Sequence, residues 1–150
     1  MREARLVGAL VSLTIVLLPL AGCSGSNSSS TTAPTPSTQT YTDVFTGKVA
    51  AGDTTASGNK DGNHFTVHQA GNITATITKL SPLSTATVGL ALGVYDTGAQ
   101  TCNLQLFADS ARLNLQLAAS VSVAGEICVG VYDVGNVTDT LDFEVTILHT

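Results

Sequence analysis

From Tyr41 onward, apolar and polar residues alternate along the chain with period two. In "NITATIT", Ile73, Ala75 and Ile77 share one face and Thr74, Thr76 and Thr78 the other. "ARLNLQL" does the same with Leu113, Leu115 and Leu117 against Arg112, Asn114 and Gln116, and "LDFEVTI" with Leu141, Phe143, Val145 and Ile147 against Asp142, Glu144 and Thr146. Successive side chains of an extended backbone point to opposite sides, so this pattern predicts strands with one buried and one solvated face. "TDVFTGKVA", "HFTVHQA", "VGLALGVYD", "CNLQLF" and "EICVGVYDV" bring the predicted set to about eight. No segment here repeats apolar residues at the i, i+3, i+4, i+7 spacing of a capped helix. Turn clusters such as "GDTTASGNKDGN", "DTGAQ" and "DVGNVTD" separate the strands. The expected fold class is all-β: a two-layer antiparallel β-sandwich, jelly-roll-like.

An internal echo adds detail. Gly93-Val94-Tyr95-Asp96-Thr97-Gly98 and Gly130-Val131-Tyr132-Asp133-Val134-Gly135 share G-V-Y-D-x-G, 37 residues apart. One reading makes Asp96 and Asp133 oxygen ligands of a Ca²⁺ ion, which needs six to eight converging oxygens. The other makes each the first residue of an Asp-x-Gly turn, with the carboxylate bonding its own downstream backbone. The chain has no D-x-D-x-D cluster, which favours the turns, and no cofactor is expected.

Before Tyr41 the composition changes twice. Residues 24–40 are almost wholly Ser, Thr, Gly, Asn and Pro, too poor in apolar surface to offset the entropy of ordering. Residues 23–40 are therefore expected to form a flexible tether, which would hold a domain spanning 41–150 about 20–25 Å from its attachment point. Residues 1–22 open with Arg2 and Arg5 and continue as "LVGALVSLTIVLL" up to Pro19. Crossing a bilayer takes roughly 20 apolar residues; this shorter run has the build of a cleaved secretory signal peptide.

That segment closes with Leu20-Ala21-Gly22-Cys23, which resembles the lipobox of bacterial lipoproteins. The resemblance implies that Cys23 carries a diacylglycerol, that cleavage before it removes residues 1–22, and that its freed amine takes a further fatty acid such as palmitate. Two or more acyl chains are what stable membrane attachment requires. Ser24 after the cysteine implies, in a Gram-negative host, an outer-membrane destination. Assigning Cys23 to lipid also settles an odd cysteine count, since Cys102 and Cys128 are left to pair with each other in an oxidising compartment.

The formal net charge is −5. Loss of residues 1–22 would leave Lys48, Lys60, Lys79 and Arg112 against ten acidic residues. No basic cluster remains, which argues against nucleic acid as a partner. The expected partners are the membrane, through the N-terminal lipid, and an envelope protein or polysaccharide.

"HFTVHQAGNITATIT", "VGLALGVYDTG" and "GEICVGVYD" together resemble the bacterial pre-peptidase C-terminal type of β-sandwich over residues 43–148. That module is appended to secreted enzymes and is also found in lipoproteins. Cys128 stands where its closing motif usually has an aromatic residue. With no peptidase domain in the sequence, the resemblance implies a freestanding, lipid-tethered version.

Catalytic constellations are sparse. His64 and His68 stand four apart, but on a strand that is about 13 Å, too far for one zinc ion. His149 offers no evident third ligand. Asp142 and Glu144 share a strand face at a separation glycosidases use, although the solvated outer face of an edge-side strand accounts for them as well. No G-x-S-x-G elbow or phosphate loop occurs. The function expected from sequence is non-enzymatic: binding, adhesion or envelope structure. The alternatives are a Ca²⁺-, small-ligand- or carbohydrate-binding module and, behind these, a cryptic hydrolase.

Overall fold

A computed structural model describes residues 38–54 and 63–150. The segment expected to form a signal peptide (1–22), Cys23 and most of the expected tether (23–40) lie outside the described residues. Eight strands follow one another: β1 (Tyr41–Val49), β2 (His64–Val67), β3 (Gly71–Ser81), β4 (Val88–Asp96), β5 (Thr101–Ala111), β6 (Gln116–Val121), β7 (Gly125–Tyr132) and β8 (Leu141–His149). They build two four-stranded antiparallel sheets, ordered β1-β8-β3-β6 and β2-β7-β4-β5. This interleaving of sequence-distant strands is the order of a jelly roll with its two Greek keys.

The alternation read from sequence sets what lies between the sheets. Ile73, Ala75, Ile77, Leu141, Phe143, Val145 and Ile147 of the first sheet meet Phe65, Val67, Val88, Leu90, Leu92, Ile127, Val129 and Val131 of the second. Apolar burial of this kind stabilises by about 25 cal/mol per Å² removed from water.

Strand registers define two ends. Tyr41 pairs with His149, Gly71 with Val121 and Val67 with Gly125 at the near end, where β1 begins. Val49–Leu141, Gly89–Tyr132 and Val88–Ala111 mark the far end.

Two expectations change. "ARLNLQL" is not one strand: β5 ends at Ala111, a turn closes with Leu115 N–H donating to the Arg112 carbonyl, and β6 starts at Gln116. Asn114 has φ 68°, a left-handed conformation that Asn tolerates better than most residues. The turn imitates a strand because Asn114 N–H donates to the Ile77 carbonyl while the Leu115 carbonyl accepts from Ile77 N–H. Nor is the strand carrying Asp142 and Glu144 at an edge, since β8 is hydrogen-bonded by β1 on one side and β3 on the other.

β5 is the irregular strand. Its register against β4 slips between Ala108 and Ala111 and again between Leu104 and Leu106; bulges of this kind bend and twist a strand. At Gly93 a Cβ would lie 2.2 Å from the Asn103 carbonyl oxygen, so β5 crosses β4 where only glycine leaves room. The crossing brings Cys102 within reach of Cys128 on β7, and the two form a disulfide with Cα atoms 5.9 Å apart.

Candidate functional site

The two G-V-Y-D-x-G segments both end in Asp-capped turns. Asp96 Oδ1 accepts from the backbone N–H groups of Gly98 and Ala99 at 2.8 and 2.9 Å. Asp133 Oδ1 accepts from Gly135, Asn136 and Val137 at 2.7–3.0 Å, and its Oδ2 accepts from Gly52 across the β1–β2 connection at 2.9 Å. Asp133 N–H in turn donates to the Asp53 carbonyl at 2.8 Å. The hydrogen bonds to Val137 and Gly52, with further ones from Gly135 and Asn136, outweigh burial and hold the Asp133 carboxyl below its usual range.

These aspartates are not brought together. Gly89 pairs with Tyr132, so Asp96 lies about 23 Å along β4 from the far end that holds Asp133. Asp133 also spends its oxygens on N–H donors, the opposite of what a cation asks for. Among the described residues no group of three or more His, Cys, Asp or Glu could hold a metal ion.

The histidines separate as well. His64 lies flat against Tyr95, ring centroids 4.0 Å apart, whereas His68 packs on Tyr41 at 4.5 Å. His149, set aside in sequence, is the unexpected one: it is 2 % exposed, its Nε2 lies 2.7 Å from Asp43 Oδ2, and Tyr41 and Phe65 cover its ring. The period-two phase of Leu141, Phe143, Val145 and Ile147 carries on to His149, which is the signal that placed it inward. An imidazole–carboxylate pair resembles part of a hydrolytic triad. So little of this ring reaches solvent that it presents no face to a substrate; it plugs the near end of the core.

Asp142 and Glu144 project from the outer face of the first sheet. Asp142 pairs with Lys48, and Glu144 Oε1 accepts from the Thr78 hydroxyl at 2.8 Å. The hydrogen bond and charge of Lys48 hold the Asp142 carboxyl below its usual range. A glycosidase acid needs its carboxyl raised, by burial or by a neighbouring carboxylate; Lys48 acts in the contrary direction.

Tyr132 is the remaining distinctive group. Its ring occupies the space above Gly89, where a Cβ would lie 2.1 Å from it, and its hydroxyl donates to Asp109 of β5. Burial, then the hydrogen bond and charge of Asp109, push the phenol up to about 12. An unfolded tyrosine ionises near 10, so between about pH 10 and 12 the folded state keeps a proton that the unfolded state has released. This part of the stability is fully present below pH 10 and is lost as pH rises through the window. Stability of Tyr132→Phe, followed by denaturant titration, is expected to lack that alkaline decline; an identical decline in both proteins would contradict it.

Comparison of the chain with protein-family models and with curated proteins finds no match.

Proposed function

We propose that the chain is a lipid-anchored lipoprotein of the bacterial envelope whose sandwich serves in binding, adhesion or envelope structure rather than catalysis. One observation carries this reading: the apolar run closes on Leu20-Ala21-Gly22-Cys23, and a Ser/Thr/Pro tether follows directly. The domain supports it in two ways. β1 begins at Tyr41, where the tether would join at the near end, so the connections after β1, β3, β5 and β7 lie at the opposite end. Asp142 and Glu144 are bonded to neighbours and His149 is buried against Asp43, as an inert carrier domain would have them. Recognition of a partner protein or polysaccharide is assigned to the far end or to the flanks of the sandwich. The looser resemblance to the pre-peptidase C-terminal sandwich points to the same accessory role.

The anchor is tested by growing a bacterial host that expresses the full chain on an alkyne-bearing fatty acid. The chain is expected to take up the label and Cys23→Ser to take up essentially none. Equal labelling of the two would refute the assignment.

A further inference from the structure

The two flanks of the sandwich differ. On the β1/β2 flank, Phe45 and Phe65 meet at 6.1 Å and Tyr41 and His68 at 4.5 Å, closing the gap between the sheets. Both edges there carry devices that discourage a further strand: β2 is four residues long, and β1 bears Lys48 and the inward Asp43. Short strands and charges are the usual protection of an edge.

On the other flank β5 has two bulges, carries Asp109 and is drawn across β4 by the disulfide. That crossing leaves an open crevice of about 120 Å³ between the sheets, lined by Leu92, Val94 and Leu106 on one side and Ala119 and Val121 on the other. Val94 shares the inward phase of Leu90 and Leu92, yet it is 47 % exposed, and Leu106 is 37 % exposed. β6, which borders the crevice, reads Gln-Leu-Ala-Ala-Ser-Val, without charge or proline, and its pairing with β3 shows no register shift. Among the described residues it bonds only β3 in the sheet and leaves its other edge unpaired.

We infer that the free edge of β6 pairs antiparallel with β6 of a second copy of this chain, joining two four-stranded sheets into one of eight. A two-fold interface is made by the same patch on both partners, so a self-pairing strand must carry no charge that would meet itself, and β6 meets this condition. Pairing about Ala118 keeps every side chain on its own face. Gln116 then lies opposite the second copy's Ser120, amide to hydroxyl, and Leu117 opposite its Ala119, with the two small Ala118 side chains at the axis. Val94 and Leu106, left uncovered within one chain, sit along the seam. Six residues make a junction only about 20 Å long across a strand spacing of about 5 Å, a contact far smaller than the roughly 800 Å² per partner of a standard stable interface. The pair therefore forms and separates with concentration.

The test uses the full chain with single cysteines added, oxidised in cell envelopes and run on non-reducing gels. Residues opposite each other in antiparallel strands have Cα atoms about 4.5–5.5 Å apart, within disulfide reach. Ala118→Cys is expected to give a band at twice the chain mass and Thr46→Cys, on β1, to give none. Gln116→Lys with Ser120→Lys, which sets like charges opposite each other twice, is expected to remove the Ala118→Cys band. Gln116→Glu with Ser120→Lys is expected to restore it. All these side chains are exposed, and the one hydrogen bond removed, from the Ser120 hydroxyl to Asn72, lies on the solvated face, so folding is not at stake. Equal cross-linking at both positions, no band from Ala118→Cys, a band at another mass, or indifference to the charge pairs would each overturn the self-pairing.

Discussion

Asp133→Ala is expected to lower the stability of the domain by about 3 kcal/mol or more, whereas Asp96→Ala, in the same motif, costs under about 1 kcal/mol. Hydrogen bonds to a charged acceptor contribute about 1.5–3 kcal/mol each, and an orphaned buried N–H costs about 1–3 kcal/mol. Asp133 serves four donors, among them the buried Val137 N–H, and ties the connection after β7 to the one after β1. Asp96 serves two in an exposed turn, where water replaces it. The comparison is made by chemical denaturation of the two variants beside the unmodified protein. A depressed folded-state carboxyl contributes stability that is present above the unfolded value near 3.9 and is lost as pH falls through the folded value. The unmodified protein should therefore lose part of its stability below about pH 4, and Asp133→Asn should not show that part. Equal losses for the two alanine variants would mean that the far-end clasp does nothing beyond what a surface turn does.

Replacing both Cys102 and Cys128 by serine is expected to cost about 3–4 kcal/mol, the loop-closure entropy of a ring of about 27 residues. Single domains have only about 5–15 kcal/mol in total, so this loss should appear as a large drop in denaturation midpoint. It should be matched by adding reductant to the unmodified protein. The effect is also local: the bond holds β5 over Gly93, and amide exchange at Thr101–Leu104 should rise before that of β8. An unchanged midpoint in the double variant would contradict the pairing.

Much of the sandwich is legible in sequence because burial between two sheets imposes period two, and β3 and β8 display it openly. What escapes is what period two does not encode. A turn at Asn114 keeps the alternation of a strand because its backbone docks on the ladder of β3 beside the bulge at Thr78, and β6 is hidden by its small, weakly apolar residues. The bulges of β5 break its pattern, and its proximity to Cys128 depends on a glycine in another strand. The pairing of Cys102 with Cys128, by contrast, was legible, since only two cysteines remain once Cys23 is set apart.

Among the candidate chemistry, the repeated Asp-x-Gly segments disclosed their turns through local spacing alone. Their unequal weight did not show, because it rests on Gly52 and Val137, which approach Asp133 only in the folded chain. His149 is set aside in sequence for a different reason: weighed as a metal ligand, it has no partner for that role near it in the chain. Here Asp43, 106 residues earlier, meets its Nε2 inside the fold.

The proposed anchor depends on the identity of the mature N-terminus, which intact mass spectrometry of the protein from host membranes reads out. The expected result is a chain that begins at Cys23, heavier than residues 23–150 by a diacylglycerol and a further acyl group. A chain that begins at any other residue, or at Cys23 with its thiol unmodified, would contradict the anchor and the function built on it.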